Sequence, residues 1–244
     1  MTTRHASTYS YRARLGLIVP PTNTVNEAEW SRMVPEGVTF HTHRMPLHGA
    51  GEDAALLADL TASVALLAQA GTDAVAYACT AGSMTVPATR LPEAASRATG
   101  QEVLTTSAAL IDAFGALGAR RISIATPYAD AVNDHEVEFL AAHGIETLAI
   151  AGLGIGADGP QDFVRIARTP LEQVRAHALG IFDPASDALL IACTDFPTLP
   201  LIPELEDRLG VPVVTSNQAT LWSMLRTVGI DDRLSGFGRL FQDH

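Results

Sequence analysis

Cys79 and Cys193 are the only cysteines of this 244-residue chain, and they stand at the same point of a repeated phrase. Asp73 to Thr80 reads DAVAYACT and Asp187 to Thr194 reads DALLIACT, so each thiol closes an apolar run and is followed by threonine. A thiolate is a nucleophile and a base, and a thiol is an acid. Two of them at equivalent points of two copies are placed to meet one substrate, which suits chemistry on both faces of a bound carbon. A lone cysteine is more often a small buried apolar residue. The duplication and the shared threonine favour the chemical reading.

The copies extend beyond the thiols. RLGLIVPPTN (Arg14 to Asn23) matches RISIATPYAD (Arg121 to Asp130), and GQEVLTTSAA (Gly100 to Ala109) matches GVPVVTSNQA (Gly210 to Ala219). With the cysteine segments these pairs are offset by 107, 114 and 110 residues in chain order. Solenoid repeats run at roughly 20 to 50 residues, so the period marks a duplicated domain.

The elements that must position the cysteines alternate between strand and helix patterns. Strands are predicted at Leu15 to Val19, Val38 to His43, Ala74 to Ala78 and Val103 to Leu104, then at Ile122 to Ala125, Thr147 to Ile150, Ala188 to Ile191 and Val213 to Val214. Helices are predicted near 53–69, 89–98, 107–117, 130–143, 171–182, 203–209 and 219–228, with glycines such as Gly118 and Gly210 where C-caps belong. Short, almost wholly apolar strands between helices indicate parallel sheets covered on both faces. The expected fold is α/β with two similar lobes, each a parallel four-stranded sheet flanked by helices, related by a pseudo-twofold axis. The first lobe spans 1–118, joined by a tail of about 215–244, and the second spans 119–214.

In open α/β sheets ligands bind beyond the carboxyl ends of the strands, which is where both cysteines fall. The axis would set them facing each other across a cleft. The turns that follow, Thr80 to Ser83 (TAGS) and Thr194 to Thr198 (TDFPT), offer backbone N–H groups that can hold a carboxylate and favour thiolate. Thr80, Ala81, Ser83, Thr194 and Asp195 are therefore candidate substrate contacts. The loops LIVPPTNTVN (Leu17 to Asn26) and IATPYADAVN (Ile124 to Asn133) add Thr22, Asn23 and Tyr128, whose donors suit a carboxylate. Structurally, Asn23 would only cap a turn and Tyr128 would only pack.

Composition narrows the activity by exclusion. A net charge of −11 argues against nucleic acid or an anionic membrane as partner. All 16 basic residues are arginine, so lysine Schiff-base chemistry has no residue to use. Met1 to Arg14 lacks an apolar signal region and no stretch approaches the roughly 20 apolar residues of a membrane span, which predicts a cytoplasmic protein with reduced cysteines. No metal is expected: His41 and His43 share a strand face without a third ligand nearby, and packing explains them. His135, His143 and His177 read as solvated helix faces. The glycine-rich stretch Ala151 to Gln161 lacks the GxGxxG register and reads as a surface connection or a flexible loop beside the site. No serine sits in a GxSxG elbow.

The segments RLGLIVPPTNT, YACTAGS, ATPYADAVN, IACTDFPTLP and GVPVVTSNQATLW together resemble the aspartate/glutamate racemase superfamily. They are most similar to its maleate cis-trans isomerase and arylmalonate decarboxylase branch, over nearly the whole chain. The resemblance implies chemistry without cofactor or metal on a small carboxylate, in a homodimer or homotetramer. It implies Cys79 as nucleophile, Cys193 as acid/base partner, and Asn23 and Tyr128 as carboxylate holders. The decarboxylases of the branch lack the first cysteine, so Cys79 favours the isomerase or racemase pattern. Asp158 stands where maleate isomerases offer an asparagine to the second carboxylate, and it would repel one.

The alternatives are a racemase of an amino-acid or hydantoin-type substrate, a decarboxylase of arylmalonate type, and a carboxylate-binding sensor, which would need no thiols. A redox pair is disfavoured by the missing CxxC spacing.

Overall fold

The computed structural model describes residues 3–49 and 51–244. The first lobe is built from β1 (Ala13–Val19), α1 (Asn26–Met33), β2 (Val38–Arg44), α2 (Asp53–Ala68), β3 (Ala74–Tyr77), α3 (Arg90–Thr99), β4 (Val103–Thr105) and α4 (Thr106–Leu117). The second follows with β5 (Arg121–Tyr128), α5 (Asp130–Ala142), β6 (Glu146–Ile155), α6 (Leu171–Ile181), β7 (Ala188–Ile191), α7 (Ile202–Leu209), β8 (Val213–Thr215), α8 (Ser216–Thr227) and α9 (Arg239–Asp243). The sheet orders β2-β1-β3-β4 and β6-β5-β7-β8 are one arrangement used twice, and every pairing is parallel.

The central strands β3 (AVAY) and β7 (ALLI) are buried at every position, because helices cover both faces of each sheet. The Thr105 and Thr215 side chains accept the N–H groups of Ala108 and Gln218, so α4 and α8 start directly from the strands before them. One apolar cluster runs through both lobes and includes Leu15, Trp30, Phe114, Ile124, Leu190, Leu221 and Phe241. A second, with Ile18, Leu60, Val64 and Tyr77, fills the space between the first sheet and α2.

The clearest departures from the sequence expectation are helix α1 and the course of the glycine-rich stretch. Helix α1 was not anticipated, because its stretch NEAEWSRM has a weak apolar stripe and its buried face includes Asn26 and Glu29. The first part of the glycine-rich stretch is strand, since β6 continues to Ile155. A Cβ at residue 152 would collide with the Tyr128 carbonyl, so Gly152 is what lets β6 pass the end of β5, where the register shifts. A 3-10 helix at Pro160–Arg168 then turns the chain back over the sheet. The C-terminal tail lies at the seam: β8 pairs with β7, whereas α8 packs on α1 and α4, with the Trp30 indole N–H donating to the Asn217 carbonyl at 3.0 Å. No helix among the described residues is long and apolar enough to cross a membrane.

Glu136 on α5 is fully buried, and neither carboxyl oxygen has a hydrogen-bond partner among the described residues. Burial pushes its pKa up to about 8, so it stays protonated at neutral pH. As pH rises above about 4.3 the unfolded chain releases this proton while the folded chain keeps it, so stability falls until the folded value is reached and then levels off. Glu136→Gln should therefore melt higher than the parent protein near pH 7.5. In thermal melts the gap should open between about pH 5 and pH 8, at about 2–4 °C per kcal/mol, and stay constant above.

Candidate active site

A cavity of about 610 Å³ opens between the lobes. Strand order reverses between β1 and β3 and between β5 and β7, and loops diverge at such points to leave a crevice at the carboxyl ends. The loops after those four strands supply Thr22 and Asn23, Cys79 to Gly82, Tyr128 and Ala129, and Cys193 to Asp195 to one cavity wall. Both cysteines are free thiols, each only 7% exposed.

The sulfurs have matched surroundings. Cys79 accepts hydrogen bonds from the Gly82 N–H and the Tyr77 hydroxyl, yet burial outweighs them and raises its pKa. Cys193 accepts from the Tyr128 hydroxyl and from the Asp195 N–H at 3.4 Å, and burial still pushes it up to about 12. A charge on Cys79 raises Cys193 further, so the two thiols share one electrostatic field. Burial also raises both phenols, which keeps Tyr77 and Tyr128 protonated as donors. Gly82 is a steric necessity: a Cβ there would lie 2.9 Å from the Cys79 sulfur and 2.8 Å from the Tyr77 oxygen. Cys193 has φ +102°, and no other non-glycine residue among those described has positive φ. Such a backbone costs about 1–3 kcal/mol and persists only where its surroundings enforce it.

Other expected site residues divide by what their side chains do. Ala81, Thr22 and Asn23 line the cavity. Asn23 also accepts the N–H groups of Val25 and Asn26 at 3.2 and 3.0 Å, starting α1, and donates one amide hydrogen to Thr194 at 3.1 Å. Thr80 and Thr194 touch the cavity, but their hydroxyls are turned to buried protein partners. Asp195 accepts the Thr24 and Val25 N–H groups through Oδ1 at 2.8 and 3.2 Å, while its buried Oδ2 has no partner among the described residues and burial pushes its pKa up to about 6. Ser83 does not line the cavity; its hydroxyl lies behind the turn, donating to the Thr80 carbonyl and accepting the Ser107 N–H.

Several expectations at the periphery are corrected. Asp158 is exposed and outside the cavity wall, its carbonyl accepting from the Gln161 amide, so Gly156, Phe163 and Ile166 face the ligand space instead. His135 is exposed on α5 and also borders the cavity. His143 accepts the Ala88 N–H at 2.9 Å across the lobes, and His177 bonds the Thr126 and Ala151 carbonyls. No group of three potential metal ligands occurs among the described residues.

The sequence reading missed Tyr77, although it ends β3 two residues before Cys79 and packs in the same apolar cluster. It also missed Glu29, whose carboxylate accepts the Thr198 and Leu199 N–H groups at 2.6 and 2.8 Å and the Asn217 amide at 2.7 Å. Nothing local in the sequence marks Leu47, His48 and Leu56 as the far wall of the cavity.

With two thiols on one cavity at the seam of a duplicated α/β fold, the comparisons with known proteins are decisive for family. The arylmalonate decarboxylase family model matches residues 15–241. The chain belongs to that family. It is 32% identical to the arylmalonate decarboxylase of Bordetella bronchiseptica over 94% of this chain and 96% of that one. It is 29% identical to the maleate isomerase of Nocardia farcinica strain IFM 10152, over 94% and 95% of the two chains. A cysteine-to-serine mutant of Nocardia farcinica maleate cis-trans isomerase, solved with a covalently bound succinylcysteine intermediate, superposes with a TM-score of 0.85 at 28% identity, covering 95% of this chain and 99% of that one. This member of the arylmalonate decarboxylase family is an enzyme, as those relatives are.

Because burial holds both thiols above the ordinary value, thiol alkylation by iodoacetamide should accelerate about tenfold per pH unit from pH 7 to 9 without a plateau, read by mass spectrometry of the two cysteine peptides. A plateau below pH 8.5 would contradict that electrostatic account. Gly82→Ala should cut turnover by about 100-fold by pressing on the Cys79 sulfur, with the melting temperature lowered only modestly.

Proposed function

We propose that this enzyme is a cofactor-independent isomerase of a small unsaturated carboxylic acid, with Cys79 as nucleophile and Cys193 as acid/base partner. The observation that carries the reading is that both free thiols line one cavity, each held by a tyrosine hydroxyl and a backbone N–H. The relative trapped as a succinylcysteine supports covalent attack by such a thiol.

Cys79 starts as a thiol, passes its proton to solvent through the open cavity before it attacks, and takes a proton back from solvent once it has been expelled. The Gly82 N–H and the Tyr77 hydroxyl are the donors that stabilise the thiolate. Its sulfur adds to one alkene carbon while the π electrons move to the other, where charge is delocalised into the carboxylate and then takes the Cys193 proton. The former double bond is now single and rotates. Cys193 thiolate removes the proton again, the C–S bond breaks, and Cys79 leaves as thiolate with the alkene re-formed in the trans geometry. Asn23 and the Ala81 N–H hold the carboxylate, since the single Tyr128 hydroxyl hydrogen is already given to the Cys193 sulfur, and donors fixed in advance lower such a barrier by about 3 kcal/mol each.

The cavity favours one carboxylate over two. Besides the two thiols and Tyr128, its titratable lining is His48, Asp53, His135 and Asp195, and no arginine is among the described lining residues. The remaining wall of Leu47, Leu56, Met84, Val132, Ile155, Phe163 and Ile166 suits an apolar substituent. A racemase is the second reading, favoured by the same thiols being protonated acids at rest beside that apolar wall.

A panel of cis-alkenoic acids, cis-dicarboxylates and single enantiomers of α-substituted acids, followed by proton NMR in D₂O, separates these. Isomerisation should appear with monocarboxylic alkenes and fall by about 1,000-fold or more in Cys79→Ala and Cys193→Ala, both folded by circular dichroism. Cys193→Ser should accumulate a thioether on Cys79, visible as a mass increase equal to the added acid. Solvent deuterium entering a saturated α-carbon without isomerisation would move the assignment to the racemase.

A further inference from the structure

The threonine that follows each cysteine is the part of the duplicated motif nearest the thiols that the proposed chemistry leaves unused. Its hydroxyl does the same thing in both copies, in opposite directions. The Thr80 hydroxyl crosses the seam and donates to Ser216 Oγ at 2.8 Å, and that oxygen accepts the Cys193 N–H at 3.0 Å. The Thr194 hydroxyl crosses the other way and donates to the carbonyl of Ala78, the residue before Cys79, at 3.0 Å, while accepting from the Asn23 amide at 3.1 Å. Thr80, Thr194, Ser216, Ala78 and Asn23 are all at most 3% exposed.

We propose that Thr80 and Thr194 are positioning residues forming a reciprocal latch, each fixing the backbone that carries the cysteine of the opposite lobe. The proposal rests on the reading that both cysteines react. Two sulfurs on separate sheets serve one carbon only if their separation is held, and a rigid-body shift of one lobe would change it. Each latch bond spans from one cysteine's turn to the backbone flanking the other, so together they oppose such a shift from both sides. The Thr80 arm has a second task. Cys193 holds a left-handed φ that an L-residue with a side chain resists, and the Ser216 bond to its N–H is part of what keeps it there. Buried bonds of this kind have no water to replace them when one partner is removed.

The test uses Thr80→Val and Thr194→Val, which keep shape and remove the hydroxyl, with Thr80→Ser and Thr194→Ser as restoring variants. Each cysteine is followed separately by iodoacetamide labelling and peptide mass spectrometry, which needs no substrate. The expected pattern is crossed: Thr80→Val speeds labelling of Cys193 by about fivefold or more and leaves Cys79 within about twofold, and Thr194→Val does the converse. With a substrate identified from the panel, kcat should fall by about tenfold to 100-fold at nearly constant KM, and serine should restore both readouts. Ser216→Ala removes the same arm from its other end and should reproduce the Cys193 effect, which keeps the test decisive if a valine variant does not fold. Labelling that changes only at the neighbouring cysteine, at both equally, or at neither would overturn the latch. So would a raised KM at constant kcat, which would make the hydroxyls substrate contacts. If Cys79→Ala and Cys193→Ala keep turning over, the two-thiol reading fails, whereas the labelling pattern still decides the latch.

Discussion

Burial of polar groups at the seam between the lobes is the constraint on which the rest of this structure depends. Taking N–H, hydroxyl and carboxylate groups out of water is costly, and the cost falls where a partner is found. Here the partners lie across the seam: Asp195 with the start of α1, Glu29 with the Thr198 turn and Asn217, Asn23 with Thr194. The loop that follows Cys193 is thus fixed mainly by residues of the other lobe.

The same burial sets the chemistry. A thiol in water is partly ionised near neutral pH, but these two are held as thiols because too few donors reach them to offset desolvation. On the proposed mechanism both protons stay in place until a ligand arrives, and the Tyr77 and Tyr128 hydroxyls are the donors when charge develops on sulfur. Absence of an arginine from the described cavity lining fits this scheme. A fixed cation beside the thiols would ionise them at rest and would demand a second anion from the substrate.

The alternation of short apolar runs with helical patterns made the two sheets and most of the helices readable in the sequence, because strands buried on both faces can carry almost nothing polar. The cysteines, Asn23 and Tyr128 were legible as strand-end residues of a repeat, and the cavity brings them together. Helix α1 was not, since its inner face is made polar by the seam that it serves, and Glu29 looks like any surface glutamate until Asn217 is brought beside it. Ser83 seemed a ligand contact because it lies in the right turn, but the turn winds as a 3-10 helix and points that hydroxyl inward to Ser107. The far wall, with Leu47 and Phe163, comes from loops whose course no periodicity encodes.

Helix α8 lies more than ninety positions after α4 in the chain, yet it is the element that covers the inner side of α1 and α4. A ribosome making this protein therefore exposes an apolar, half-finished first lobe throughout the synthesis of the second. Nascent chains in that state are the species that chaperones shield. The first half thus completes its packing only with an element that follows the second.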